Sequence, residues 1–230
     1  MGRPPNRALA VRALVAVALL PLLPLLLAAC GLAPAATTSA GSGPAIAAGQ
    51  HVTLPGSGSA LTWGSGPYGL VLLHDVAHAP SDWAPQATAF GNDGMTVLAP
   101  EQTDPGTLAA AIAWLRSSRG TARVAVLAAG STSGSVASLA ASDAAAIDQA
   151  LLISPSAGGT WPWAFPTLFA AGQDAPDAGI AQRMSSTATG QWNELLLVRS
   201  GRSGQSLFTE GGASATELMT EVQRRLDERR

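Results

Sequence analysis

The chain has 230 residues and a formal net charge of −2, with 15 acidic residues against 13 arginines and no lysine. That balance offers no basic nucleic-acid surface. Without lysine there is no phosphate loop of the G-x-x-x-x-G-K type, and with Cys30 as the only cysteine there is no intramolecular disulfide. Stability must come from an apolar core, and the length allows one well-buried domain.

In chain order, the first segment is a targeting signal rather than structure. Arg3, Arg7 and Arg12 form a basic start, residues 13–29 carry no charge, and small residues precede Cys30 in "LLLAAC". This is the layout of a secretory signal. The stretch "LAACG" at residues 27–31 also resembles the bacterial lipobox. That resemblance implies cleavage before Cys30, lipidation of its thiol, and export with a membrane anchor. An uncleaved apolar anchor is the alternative, although the run falls short of the roughly 20 residues a span needs. All 15 acids follow Cys30 while three arginines precede it, so the remainder is acidic. Residues 31–50 are small, uncharged and rich in Ala, Gly, Ser, Thr and Pro, which reads as a flexible tether. The organisation is thus a signal at 1–29, a tether at 30–50 and a folded domain at 51–230.

From His51 the texture changes. "HVTLPG" and "SALTWGSG" read as short strands separated by turn residues. "YGLVLLHD" is a continuous apolar run ending in polar residues, as in a strand buried on both faces. A helix follows in "SDWAPQATAFGNDG", with Ser81 or Asp82 as its N-cap and Gly94 as its stop. "MTVLAPE" is a strand, and "PGTLAAAIAWLRSSRG" a helix with Leu108, Ile112 and Leu115 on one face. "RVAVLAAG" and "GSVASLAAS" form the next strand and helix. "QALLISPS", "PTLFAAG" and "ELLLVRS" are three further strands, with a helical stretch around residues 178–186 before the last. An amphipathic helix with Leu218, Val222 and Leu226 in line closes the chain. Strands alternating with helices imply an α/β fold, a mostly parallel twisted sheet covered by helices on both faces. Ligands of such sheets sit beyond the carboxyl ends of the strands.

The order of these strand ends resembles the α/β-hydrolase superfamily, closest to its small dienelactone-hydrolase-like and lipase-like members. "GLVLLHDVAHAPSDW" is similar to that family's third strand, oxyanion turn and first helix. "AAGSTSG" occupies the nucleophile elbow, "PTLFAAGQDAPD" the seventh strand with its acid, and "ELLLVRSGRSGQSLF" the eighth strand with the histidine loop. The family pattern G-x-S-x-G falls on residues 129–133 with Ser131 as nucleophile, both pattern glycines being replaced by small residues. The same serines are also good helix N-caps. The resemblance implies Asp174 as the acid, with Asp177 as second choice, and the backbone N–H groups of Val76 and Thr132 as the oxyanion hole. No large cap domain fits between the sixth and seventh strands.

The resemblance fails at the base. The family's histidine falls on Ser203, and no histidine follows His78. A serine hydroxyl cannot take a proton near neutral pH as an imidazole can. Losing the base from such a triad costs on the order of 10⁶ in turnover. His78 is the possible substitute, while His74 matches the histidine that shapes the oxyanion turn. The family's His-Gly is here His74-Asp75, which puts a carboxylate beside a site meant to stabilise negative charge. Trp161 and Trp163 either floor an apolar pocket near the site rim or plug the end of the core. No metal-ligand spacing or cofactor motif is present in the sequence. Three functions compete on these residues. One is an exported lipoprotein with a degenerate hydrolase-like domain, a pseudoenzyme binding a small apolar ligand or an envelope partner. The others are an active ester or acyl hydrolase using Ser131, and a structural envelope module.

Overall fold

Four of the apolar runs become strands with every residue buried: β3 (Tyr68–Leu73), β4 (Met95–Pro100), β6 (Gln149–Ile153) and β7 (Thr167–Gly172). The structure is a computed structural model and describes residues 46–156, 160–209 and 212–229. Cys30, the signal and the tether up to residue 45 lie outside the described residues. With β1 (Gln50–Leu54), β2 (Gly58–Trp63), β5 (Arg123–Ala129) and β8 (Glu194–Val198), these strands form one sheet in the order β1-β2-β4-β3-β5-β6-β7-β8. β2 runs antiparallel to both of its neighbours, and the other pairs are parallel.

A strand buried on both faces needs a helical layer on each side. On one face, α2 (Pro105–Arg119), α3 (Ser133–Asp143) and α4 (Ala178–Thr187) bury Leu108, Val136 and Met184 in one core cluster that also holds Val71 and Leu73 of β3. On the other, α1 (Ala84–Asn92), α5 (Ser206–Thr209) and α6 (Gly212–Asp227) bury Phe90, Phe208 and Leu218 in a second core cluster that also holds Leu70 and Leu72. The two-residue alternation along β3 thus divides one apolar run between two cores. Leu218, Val222 and Leu226 are fully buried, as their spacing on the closing helix requires. Arg225 moors the same helix to the sheet edge: its Nη2 donates to the Trp192 carbonyl at 3.1 Å and pairs with Glu194 at 2.6 Å.

Local details depart from the sequence expectations in two places and decide between two of them in a third. Neither Ser81 nor Asp82 caps the first helix from outside. A 3₁₀ turn (Pro80–Trp83) begins first because Pro80 has the fixed φ suited to a first helical position. From inside that turn, Asp82 Oδ2 accepts the Ala79 N–H at 3.0 Å. The chain also joins the domain before His51. Ala47 donates its N–H to Thr88 Oγ1 at 3.1 Å and accepts from Trp63 Nε1 at 2.9 Å, and β1 begins at Gln50. Finally, Trp161 is fully buried, with its indole N–H on Thr167 Oγ1 at 3.0 Å and its ring edge-to-face with Trp163 and Phe169. Thr167 opens β7, at the end of the sheet opposite the strand carboxyl ends. The tryptophan pair plugs the core there and does not floor a pocket at the site rim.

Candidate functional site

Five of the parallel strands end at one place. Asp75 and Val76 follow β3, Gly130 and Ser131 follow β5, Ser154 follows β6, Asp177 follows β7, and Ser203 and Gly204 follow β8. They line one open cavity of about 300 Å³. This is where a ligand of a parallel sheet is expected. Each residue is there because its strand stops against the helical layers while its loop turns back over the sheet.

The strained residue of the β5 turn is Gly130, not Ser131. Gly130 has φ +60°, whereas a non-glycine residue would resist that conformation. Residues 130–132 then wind a 3₁₀ turn that leads directly into α3. The residue at the strained point of this turn therefore carries no side chain. The space above it is taken: a Cβ at Gly130 would lie 2.2 Å from Asp75 Oδ2. A Cβ at Gly204, also at positive φ, would lie 2.6 Å from the same oxygen. The Asp75 carboxylate fits between two loops only because both are glycine at that point.

The other carboxylate oxygen closes the oxyanion turn. Asp75 Oδ1 accepts the N–H of Val76 at 2.7 Å and lies 3.5 Å from the Ser131 hydroxyl, at the long limit of a hydrogen bond. Val76 itself is 86 % exposed. The Val76 N–H, expected from the resemblance as an oxyanion donor, already serves a carboxylate of its own chain. Thr132, the other oxyanion candidate, is buried, does not line the cavity, and donates its hydroxyl to the Ala129 carbonyl at 2.8 Å.

Ser203, where the resemblance leads one to expect a histidine, donates its hydroxyl to Asp177 Oδ1 at 2.8 Å. Asp177 is buried, whereas Asp174 is exposed and outside the cavity lining. The Asp174 N–H bonds to the Ser200 carbonyl at 3.0 Å, so that residue ties the β7 and β8 loops together through its backbone. His78 is also outside the cavity lining, and its Nδ1 is buried with no partner among the described residues. His74 holds the turn from both sides, with Nδ1 3.0 Å from the Asp75 carbonyl and Nε2 3.2 Å from the Glu101 carbonyl. Among the described residues, no group of three or more His, Cys, Asp or Glu is placed to hold a metal ion, and no helix is long and apolar enough to cross a membrane.

Sequence reasoning passed over Gly130, Gly204 and Ser154. The signal for Gly130 was present: it follows the last residue of the apolar run "VAVLAA", and the residue directly after that strand takes the strained turn. No sequence signal marks Ser154. Chemically, the cavity offers carboxyl and hydroxyl oxygens and no imidazole in its lining.

No protein-family model matches the chain, and no curated protein does. Solved structures are similar in fold. A predicted CIB-like hydrolase from Thermoplasma acidophilum superposes with a TM-score of 0.60 at 15% identity, over 79% of this chain and 99% of that one. A dienelactone hydrolase from Anabaena variabilis gives 0.58 at 16% identity, over 76% and 94%. A monoacylglycerol lipase from Paleococcus ferrophilus gives 0.62 at 10% identity, over 74% and 98%. With eight strands in this order, one reversed strand and helices on both faces, the chain has the α/β-hydrolase fold.

Proposed function

We propose that the chain is an exported lipoprotein, held to a membrane through Cys30, whose hydrolase-fold domain binds a ligand and does not hydrolyse it. The observation carrying this proposal is the Asp75 carboxylate, which fills the space above Gly130 where a nucleophile would stand and takes the Val76 N–H that an oxyanion would need. Ser203 in place of an imidazole is consistent with the same loss. The competing function is ester or acyl hydrolysis by Ser131, in keeping with the hydrolases of the same fold, and the 3.5 Å approach of Asp75 is its one support.

A fluorophosphonate probe, which reacts with activated serines, separates the two. The full chain in detergent should label no more than its heat-denatured form. Labelling of the folded chain that disappears in Ser131→Ala would sink the silent-site proposal.

A further inference from the structure

The site cavity is lined by two carboxyl groups and several hydroxyls, and two of these polar atoms are buried without a partner among the described residues. Asp177 is only 8 % exposed; its Oδ1 is engaged by Ser203, and its Oδ2 is buried with no partner among the described residues. Ser154 is 1 % exposed, and its Oγ is likewise buried and unpartnered. Asp75 Oδ2 faces the two glycines 130 and 204. Among the described residues no arginine lines the cavity, and the chain has no lysine. A buried carboxyl oxygen without a donor is costly, and two carboxyl groups lining one space without a cation compound that cost.

We infer that this cavity binds a small organic cation, a primary ammonium on a short apolar body. The inference builds on the non-catalytic proposal and names the ligand class of the same site. An ammonium brings three N–H donors and one positive charge and accepts nothing. It meets the inventory of this site: the free oxygens of Asp75 and Asp177 and the Ser154 hydroxyl. A neutral alcohol would supply one donor and leave the charge uncompensated. A carboxylate, such as an ester hydrolase would release, would be repelled. A bare metal ion lacks the third charged or imidazole ligand it would need here. The apolar body has Val76 and Pro176 to lie against, and about 300 Å³ is room for a small ligand only.

Calorimetric titration of the full chain in a non-ionic detergent tests this, using n-butylammonium, 1-butanol and butyrate as probes. The ammonium should bind saturably, the alcohol about tenfold or more weakly, and butyrate not at all. Asp177→Asn and Asp75→Asn should each weaken ammonium binding about tenfold or more, because each removes a charge partner, buried at Asp177 and half-buried at Asp75. Asp143→Asn, at the far end of α3, should leave it unchanged. If Asp177→Asn loses its cooperative melt, Asp75→Asn decides. Equal binding of alcohol and ammonium, no saturable ammonium binding, or full binding by the folded Asn variants would overturn the inference. Fluorophosphonate labelling keeps the two proposals apart. A chain that labels at Ser131 but binds butylammonium as described refutes the silent site alone. An unlabelled chain indifferent to butylammonium refutes the ligand class alone.

Discussion

At residue 130 the absence of a side chain is itself the feature. With φ at +60°, any L-residue there would be strained by on the order of 1–3 kcal/mol. Its Cβ would also meet the Asp75 carboxylate at 2.2 Å, too close for any real contact. Gly130→Ser should therefore destabilise the domain by about 1–3 kcal/mol, read from denaturant melts. The two penalties are separable. In an Asp75→Gly background the steric part should vanish, leaving a coupling of about 0.5 kcal/mol or more in a double-mutant cycle. Strictly additive effects would mean that the carboxylate does not stand above residue 130.

Among the elements, α2 shows how local chemistry sets a boundary. Asp104 is its N-cap: Oδ1 accepts the N–H groups of Gly106 and Thr107 at 2.9 and 3.0 Å, and Oδ2 accepts the Thr107 hydroxyl at 2.6 Å. Pro105 follows at the first helical position, and Gly120 ends the helix in the left-handed conformation. The Thr107 hydroxyl first, and its backbone N–H next, hold the Asp104 carboxyl below its ordinary value of 3.8. Asp104→Ala should cost about 1 kcal/mol near neutral pH. Because the folded-state value is the depressed one, the charge-dependent part of the cap is fully present above pH 3.8 and is lost as pH falls through the lower folded value. The stability gap between parent and Asp104→Ala, followed by thermal melts, should narrow in that acid range. A gap that widens there would contradict the capping geometry.

For the molecule as a whole, the sheet is a platform that brings five loops to one edge and leaves the opposite edge to the tryptophan plug. Within the described residues the domain begins by docking Ala47 against Thr88 and Trp63, so a tether need reach only that point. The proposed anchor belongs to this scale, because it sets where the whole domain resides. Metabolic palmitate labelling should mark the wild-type protein in a bacterial host and vanish in Cys30→Ala. Label that survives the substitution would end the lipoprotein proposal.

The alternation of apolar runs with amphipathic segments was enough to specify the sheet, its two helical layers and the edge where ligands gather. Those features follow from periodicity and burial, which are properties of neighbouring residues along the chain. The site was legible only in part. Asp174 and Asp177 lie three positions apart in one loop, and no local pattern says which of the two the turn will aim inward. Only the tertiary structure decided that Asp177 meets Ser203 and that the Asp75 carboxylate lies between Gly130 and Gly204. Those contacts join loops from different strands, and their distances depend on how the sheet twists and how closely the helices pack beneath it.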